Sequence, residues 1–447
     1  MRGDDRARGG VSAIFHSQVC GTAVNNNTYQ PAPTLVGIIV IIGRFTRRRA
    51  PRASRPSRPP FAMRAAVYDR TAVEGVRVVT RSPPTAPARD ALLVRVRACG
   101  VNPVDAKGVV GDKLPAFLRP LARRALDGTI AGFDLSGVVD RAPPNSGFAV
   151  GDEVFGAVPP FRGSFAELVR VPLHQVAKKP ASLSHAEAAA LVLPGVTVTQ
   201  LLDQHGFEPG QRLLIIGASG GVGHLAVKLA KARGAKSVVG VCSAANAAFV
   251  RSCGADAVVA YDAECSETTR DSSGGAKERE IGNETTTPDA VVDELRRIVR
   301  EDLGGHAFDL VLDAVTSGDA RDAGFEYERR VRSAGLVKTP ANGVDAHNYV
   351  TIGSRPVGWV LAAIKRVTGV NLFARGRELF WIRFPGCASD LAELARVCDG
   401  DASASGGRTS VAPAIEATLP LTSEGVAEAF RRLHSRRVRG KIVVEVT

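Results

Sequence analysis

The sequence predicts an α/β chain in two units, a β-rich unit followed by a doubly wound parallel sheet. Three observations predict it. Short apolar runs broken by Gly and Pro fill residues 63–171, which reads as consecutive strands. From Gln211 onward strand-length runs alternate with helix-length ones, the pattern of parallel strands joined by helical crossovers. A glycine-rich turn, Gly217–Gly223, separates the first strand of that second region from its first helix.

The elements follow in chain order. At 447 residues there is room for two or three domains with separate cores. Residues 1–62 hold ten Arg against Asp4 and Asp5, carrying +8 of the net charge of +13. Residues 44–60 are rich in Arg, Ser and Pro without an acid, too polar to bury a core. That composition fits a plastid or mitochondrial transit peptide. The other reading makes Met63 the true start, and the protein cytoplasmic. Strands are expected at Met63–Tyr68, Ala91–Ala98, Gly137–Asp140, Glu153–Gly156 and Ala166–Val171, with Pro83-Pro84 marking a turn. Ser184–Leu193 reads as a helix, Ser184 and Glu187 forming a capping box.

The second unit begins with strand Arg212–Ile216, helix Val222–Arg233, strand Ser237–Cys242, helix Ala245–Cys253 and strand Ala257–Ala260. Residues 262–288 are polar and read as a surface insertion. Helix Asp289–Arg300 and strands Phe308–Ala314 and Ser333–Lys338 follow. The stretch Val357–Ile382 is the most aromatic in the chain and reads as core or as a subunit contact, which leaves a homodimer open. Helix Ser423–Ser435 and strand Lys441–Val446 close the sequence.

Composition excludes several function classes. Aromatic residues are few (5%), so no stacking surface for nucleic acid is expected; the excess charge belongs mainly to the extension. The longest apolar run near the N-terminus, Leu35–Ile42, is far short of the roughly 20 residues that cross a bilayer. Seven cysteines form no C-x-x-C pair, which suits a reducing compartment better than a disulfide framework.

The glycine turn carries the chemistry. In Leu213-Leu214-Ile215-Ile216-Gly217-Ala218-Ser219-Gly220-Gly221-Val222-Gly223, Ala218-x-Gly220-x-x-Gly223 is the dinucleotide fingerprint G-x-G-x-x-G with alanine first. Gly220 lets the backbone approach a pyrophosphate, Gly223 lets helix and strand pack closely, and the anion meets free N–H groups at the helix start. A second strand ends at Cys242, where NAD-preferring sites place an acid. None lies between Glu208 and Asp256; Ser243 and Asn246 stand there instead, so NADPH is the expected cofactor. The letters Gly217-Ala218-Ser219-Gly220-Gly221 also match the G-x-S-x-G elbow of hydrolases. Gly223 and the continuing helix favour the dinucleotide.

Seven blocks, in order, resemble the zinc-free quinone oxidoreductase (zeta-crystallin-like) branch of the medium-chain dehydrogenase/reductase superfamily, nearest to plastid alkenal/enone oxidoreductases and the reticulon-interacting mitochondrial homologues. They are Ala98–Lys107, Gly132–Val139, Val150–Gly156, Gly163–Glu167, the glycine turn, Ser252–Asp256 and Arg439–Val443. The resemblance implies a GroES-like substrate domain over 63–190, completed by 385–447, and a Rossmann domain over 191–384. It also implies cofactor contacts from Asn102, Thr197, Ser243, Asn246 and Tyr261 beside those of Ala218, Ser219, Gly220, Gly221, Val222 and Gly223. Family members often carry Lys or Arg near Asn246, and this chain does not. Zinc-dependent relatives have Cys where Asn102 stands and His-Glu where Phe133-Asp134 stand, so no metal is expected.

Without a metal the cofactor supplies the hydride and the protein supplies position and charge. The acceptor is expected to be an enone or a quinone; the likeness of Asn102-Pro103-x-Asp105-x-Lys107 to the enone reductases implies Lys107 as donor to the oxygen that gains negative charge, with Asp105 orienting it. Cys99 has no sequence neighbour that lowers its pKa and reads as structural. The rival from another class is a non-catalytic NADPH-binding regulator or assembly factor on the same fold.

Overall fold

The computed structural model describes residues 62–84, 89–110, 126–159, 162–262, 287–315, 325–338, 348–353, 377–379, 387–400 and 410–447. The basic extension, most of the polar insertion and most of the aromatic stretch lie outside the described residues, as does the side chain of Lys107.

A hairpin of β1 (Met63–Tyr68) and β2 (Val76–Arg81) leads into β3 (Ala91–Val101), the spine of the first main sheet. Every residue of β3 is buried except Arg95 and Arg97, because it pairs along both edges. The strands β4 (Asp134–Arg141), β5 (Glu153–Ala157), β6 (Leu168–Pro172) and β7 (Val176–Lys178) add to it antiparallel. Helix α1 (Pro103–Val110) starts where β3 ends.

Helix α2 (His185–Gln204) then crosses to the second sheet. Its N-terminus has the expected capping box: Ser184 Oγ accepts from the Glu187 amide at 3.2 Å, and Glu187 Oε2 accepts from the Ser184 amide at 2.8 Å. The helix does not stop at Leu193, as the sequence suggested, but runs through Pro194. Proline removes one in-helix donor; burial in a core that both sheets share outweighs that loss. An apolar core runs without a break from Phe155 through Leu191 and Val198 to Leu213 and Leu225. The boundary expected at 190/191 therefore falls inside one continuous helix.

The second sheet is parallel throughout, in the order β10-β9-β8-β11-β12-β13. It comprises β8 (Arg212–Ile216), β9 (Ser237–Cys242), β10 (Ala257–Ala260), β11 (Leu310–Asp313), β12 (Tyr349–Thr351) and β13 (Arg377–Leu379). Helices α3 (Gly223–Ala232), α4 (Ala247–Ser252), α5 (Pro288–Glu301) and α6 (Tyr327–Ser333) belong to its crossovers. The order reverses between β8 and β11, and ligands of such sheets bind at the carboxyl ends of the strands there. Two expectations need correcting. Ser333–Lys338 is no strand: Ser333 ends α6, and only Val337 bridges to Phe308. The helix expected over Ala245–Cys253 begins as a 3-10 turn, Ala244–Asn246, and becomes α-helical only at Ala247.

After α7 (Ala388–Asp399), strand β14 (Ile415–Pro420), helix α8 (Ser423–His434) and strand β15 (Lys441–Glu445) return the chain to the first sheet. There β15 pairs antiparallel with β3 and parallel with β14. This return puts residues 439–441 beside the glycine turn.

A candidate dinucleotide site at the joint of the two sheets

The turn after β8 takes its shape from two glycines. Gly217 has φ +76°, a conformation that side chains disfavour. A methyl at Gly223 would lie 2.8 Å from Ala218 Cα and closer still to the Gly217 carbonyl oxygen, so only glycine lets α3 start this near the strand. Ala218, in place of the usual first glycine, is buried and fits because β9 offers Gly240 opposite: a methyl there would stand 3.0 Å from the Ala218 Cβ. Gly220 is open, with Gly217 O at 3.5 Å the nearest atom to an added methyl. The amides of Gly221, Val222 and Gly223 enter no backbone hydrogen bond among the described residues. Such donors at a helix start suit a diphosphate. The cradle fits a dinucleotide.

The residues expected at the adenosine end gather at the carboxyl ends of β9 and β10. Asn246 Nδ2 donates to Ser243 Oγ at 3.0 Å and to Ser219 Oγ at 3.3 Å, joining three of the expected contacts. The Tyr261 amide donates to Cys242 O at 3.0 Å, and its ring meets Phe325 edge-on. One residue there escaped the sequence reading. Asp262 Oδ1 accepts from the Ala244 amide at 2.6 Å, so an acid does reach this turn, from the end of the next strand. Spacing along β9 alone could not reveal it.

The C-terminal return locks onto the turn through backbone and histidine. The Gly440 amide donates to Ser219 O at 2.9 Å, and the Lys441 amide to Ala414 O at 2.9 Å. His224 Nε2 accepts from the Ala414 amide at 3.2 Å, so Nδ1 holds the proton and donates to Gly220 O at 2.8 Å. Burial pushes the His224 pKa down to about 4, which keeps this bridge neutral. His224 carried no signal in the sequence beyond its place after the fingerprint.

Across the joint lies a buried charged cluster. Lys441 Nζ donates to Asn102 Oδ1 at 2.6 Å and Val101 O at 2.9 Å. Asn102 Nδ2 donates to Asp134 Oδ2 at 2.8 Å, and the Asn102 amide donates to Asp105 Oδ2 at 2.7 Å. Asp134 Oδ2 also accepts from the Leu193 amide at 3.2 Å, and Thr197 Oγ1 donates to Leu193 O at 2.7 Å. Gly100 makes room for this, since a methyl there would lie 3.2 Å from Asp134 Cβ and closer to Ala189 O. Asn102 thus links one ammonium to two carboxyls, and all three charged side chains are buried. Burial pushes Asp134 up to about 6, against the Lys441 charge and the Asn102 hydrogen bond. Burial and the neighbouring Asp134 hold Asp105 well above the usual carboxylate range. Lys441 is held low by burial, opposed by both carboxylates.

Asn102 and Thr197 therefore adjoin one network, with Asp105 tied to its backbone. The described contacts of the Asp105 carboxyl run to the Asn102 amide, at the start of α1. Lys107 follows on the same helix. Cys99 is buried, its thiol donating to Ser164 O at 3.2 Å and pushed up by burial. Among the described residues no group of three or more His, Cys, Asp or Glu is placed to hold a metal.

Comparison with known proteins gives these contacts a setting. Residues 88–181 match the alcohol dehydrogenase GroES-like domain family, and residues 278–444 the zinc-binding dehydrogenase family. A 2-methylene-furan-3-one reductase from Solanum lycopersicum is 38% identical over 184 residues, 39% of this chain and 46% of that protein. The chain thus spans less than half the length of that relative. The mitochondrial NAD(P)H oxidoreductase RTN4IP1 of Mus musculus is 29% identical over 380 residues, 79% of this chain and 81% of its own. The quinone oxidoreductase from Coxiella burnetii has the same fold, with TM-score 0.58 at 23% identity over 87% of this chain and all of that one. A GroES-like match, a Rossmann strand order and a fingerprint turn facing the C-terminal return belong together in one family: the chain is a medium-chain dehydrogenase/reductase, an oxidoreductase by descent.

Proposed function

We propose that the chain is an NADPH-dependent reductase that passes hydride to an α,β-unsaturated carbonyl or a quinone without zinc. The observation that carries this reading is the open cradle at Gly220, with unbonded amides at the start of α3 and Ser219, Ser243 and Asn246 joined beside it. The names of the tomato and mouse relatives, a furanone reductase and an NAD(P)H oxidoreductase, point the same way.

In this reading residues 191–384 hold the cofactor, and residues 63–190 with 385–447 shape the substrate side. The cofactor, when bound, supplies the hydride. The turn amides hold its diphosphate, and Ser219, Ser243, Asn246 and Tyr261 hold the adenosine end. Asn102 and Thr197 border the nicotinamide side, and the Lys441–Asn102–Asp134 chain fixes the Asn102 carboxamide. Lys107 donates to the carbonyl oxygen of the acceptor, where negative charge develops as the β-carbon is reduced, and Asp105 fixes the start of its helix. At the place where zinc relatives bind metal, the Lys441 ammonium sits on Asn102, and a cation there would repel another.

The basic extension fits import into an organelle, and the mouse relative is named as mitochondrial. No helix among the described residues is long and apolar enough to cross a membrane, and the partner proposed is a small molecule. Steady-state oxidation of NADPH by the full chain, against enals, long-chain enones and quinones, tests the function. Turnover with at least one class is expected; tight NADPH binding with no turnover on any would replace the enzyme by a nucleotide-binding regulator.

A further inference from the structure

The turn after β9 holds no basic residue for a ribose 2′-phosphate, and Asp262 stands against it. By itself that acid would favour a free 2′-hydroxyl. A cation from far along the chain faces the same place. Arg439, in the loop between α8 and β15, holds its guanidinium carbon 5.4 Å from the centre of the Phe249 ring. Phe249 lies on α4, three residues beyond Asn246. Asn246 bonds Ser219 Oγ, and Ser219 O accepts from Gly440, the neighbour of Arg439. These contacts close a ring through Ser219, Asn246, Phe249 and Arg439, which fixes Arg439 at the rim of the adenosine site.

Two neighbouring lysines are otherwise engaged. Lys228 Nζ donates to Ala412 O at 2.8 Å, and Lys441 is turned into the buried cluster. Glu416 accepts the backbone N–H of Arg439. Among the described residues the guanidinium itself enters no ion pair or hydrogen bond. A guanidinium resting on an aromatic face keeps its N–H edge for a planar or tetrahedral anion. We propose that Arg439 selects NADPH over NADH by pairing with the 2′-phosphate, opposite Ser243 and Asn246. The assignment rests on the reductase reading and deepens it: the cation is supplied by the C-terminal return and not by the strand that binds the ribose.

Fluorescence titration of the full chain with NADPH and NADH tests it, with 2′,5′-ADP and 5′-AMP as competing probes. Arg439→Gln is expected to weaken NADPH and 2′,5′-ADP about tenfold or more while leaving NADH and 5′-AMP unchanged. Arg439→Lys should recover part of the loss. Arg251→Gln, on the same helix as Phe249, should change nothing. Equal loss for both nucleotides, loss in the Arg251 variant instead, or a wild-type preference for NADH overturns the assignment. A wild type that prefers NADPH with an unaffected Arg439 variant overturns it too, and leaves the reductase reading standing. A wild type that binds neither nucleotide removes both.

Discussion

Gly220 and Gly223 make opposite predictions, though they lie three residues apart in the same turn. At Gly223 an added methyl collides with backbone, 2.8 Å from Ala218 Cα. The helix must back away from β8, and overpacking of this kind costs about 1–3 kcal/mol. At Gly220 the nearest atom is 3.5 Å away, so Gly220→Ala should fold as well as wild type. Its methyl instead enters the space proposed for the diphosphate. A hydrogen bond to a charged group contributes about 1.5–3 kcal/mol, so displacing one weakens binding about 10- to 100-fold.

Thermal unfolding with and without NADPH separates the two. At a concentration 100 times its Kd the nucleotide stabilises wild type by about 2.7 kcal/mol, or about 5–10 °C for a domain of this size. After a 100-fold loss of affinity, Gly220→Ala would gain only about 0.4 kcal/mol, near 1 °C. Gly223→Ala should start from a lower Tm. A Gly220→Ala protein with the full NADPH-dependent rise would refute the cradle, and with it the proposed diphosphate site.

Three further outcomes follow from the buried cluster and its neighbour helix. Lys441→Met removes the cation near Asp105 and Asp134 and leaves Asn102 Oδ1 and Val101 O without their donor, which should destabilise the chain by about 1–3 kcal/mol for each buried group left unpaired; adding Asp134→Asn should restore part of it in urea unfolding. Asp134 has its folded pKa raised from 3.8 to about 6, so its proton-linked stability is full below pH 3.8 and is lost as pH rises through 6. The difference corresponds to ~3 kcal/mol, and Asp134→Asn should flatten the fall in stability between pH 4 and pH 7; an unchanged slope would place the titration elsewhere. Lys107→Ala should depress kcat for enones while sparing NADPH binding, and unchanged turnover would remove Lys107 from the reaction.

Local pattern carried much of the fold. The alternation after Gln211 and the Ser184–Glu187 box were readable because a strand, a helix and a cap each leave their mark within a few residues. Pattern failed where a distant contact overruled it. Pro194 suggests a stop, yet α2 continues because it is buried in a core that both sheets share. Ser333–Lys338 has strand-like letters, but its first residue completes α6. No acid lies along β9 or at its end, and Asp262 still arrives from just beyond β10, because a side chain past one strand end reaches the turn of its neighbour.

The sequence by itself determined the glycine turn and the family to which it belongs, since the requirement for φ above zero at Gly217 and for no side chain at Gly223 is written into the residues that meet it. The tertiary structure decided what surrounds that turn. Asn102, Asp134 and Lys441 are hundreds of residues apart at the extremes and leave no common motif; only the pairing of β15 with β3 brings them within hydrogen-bond distance. Their partners are set by the closing of the chain on itself, and a contact of that kind has no local signature to read.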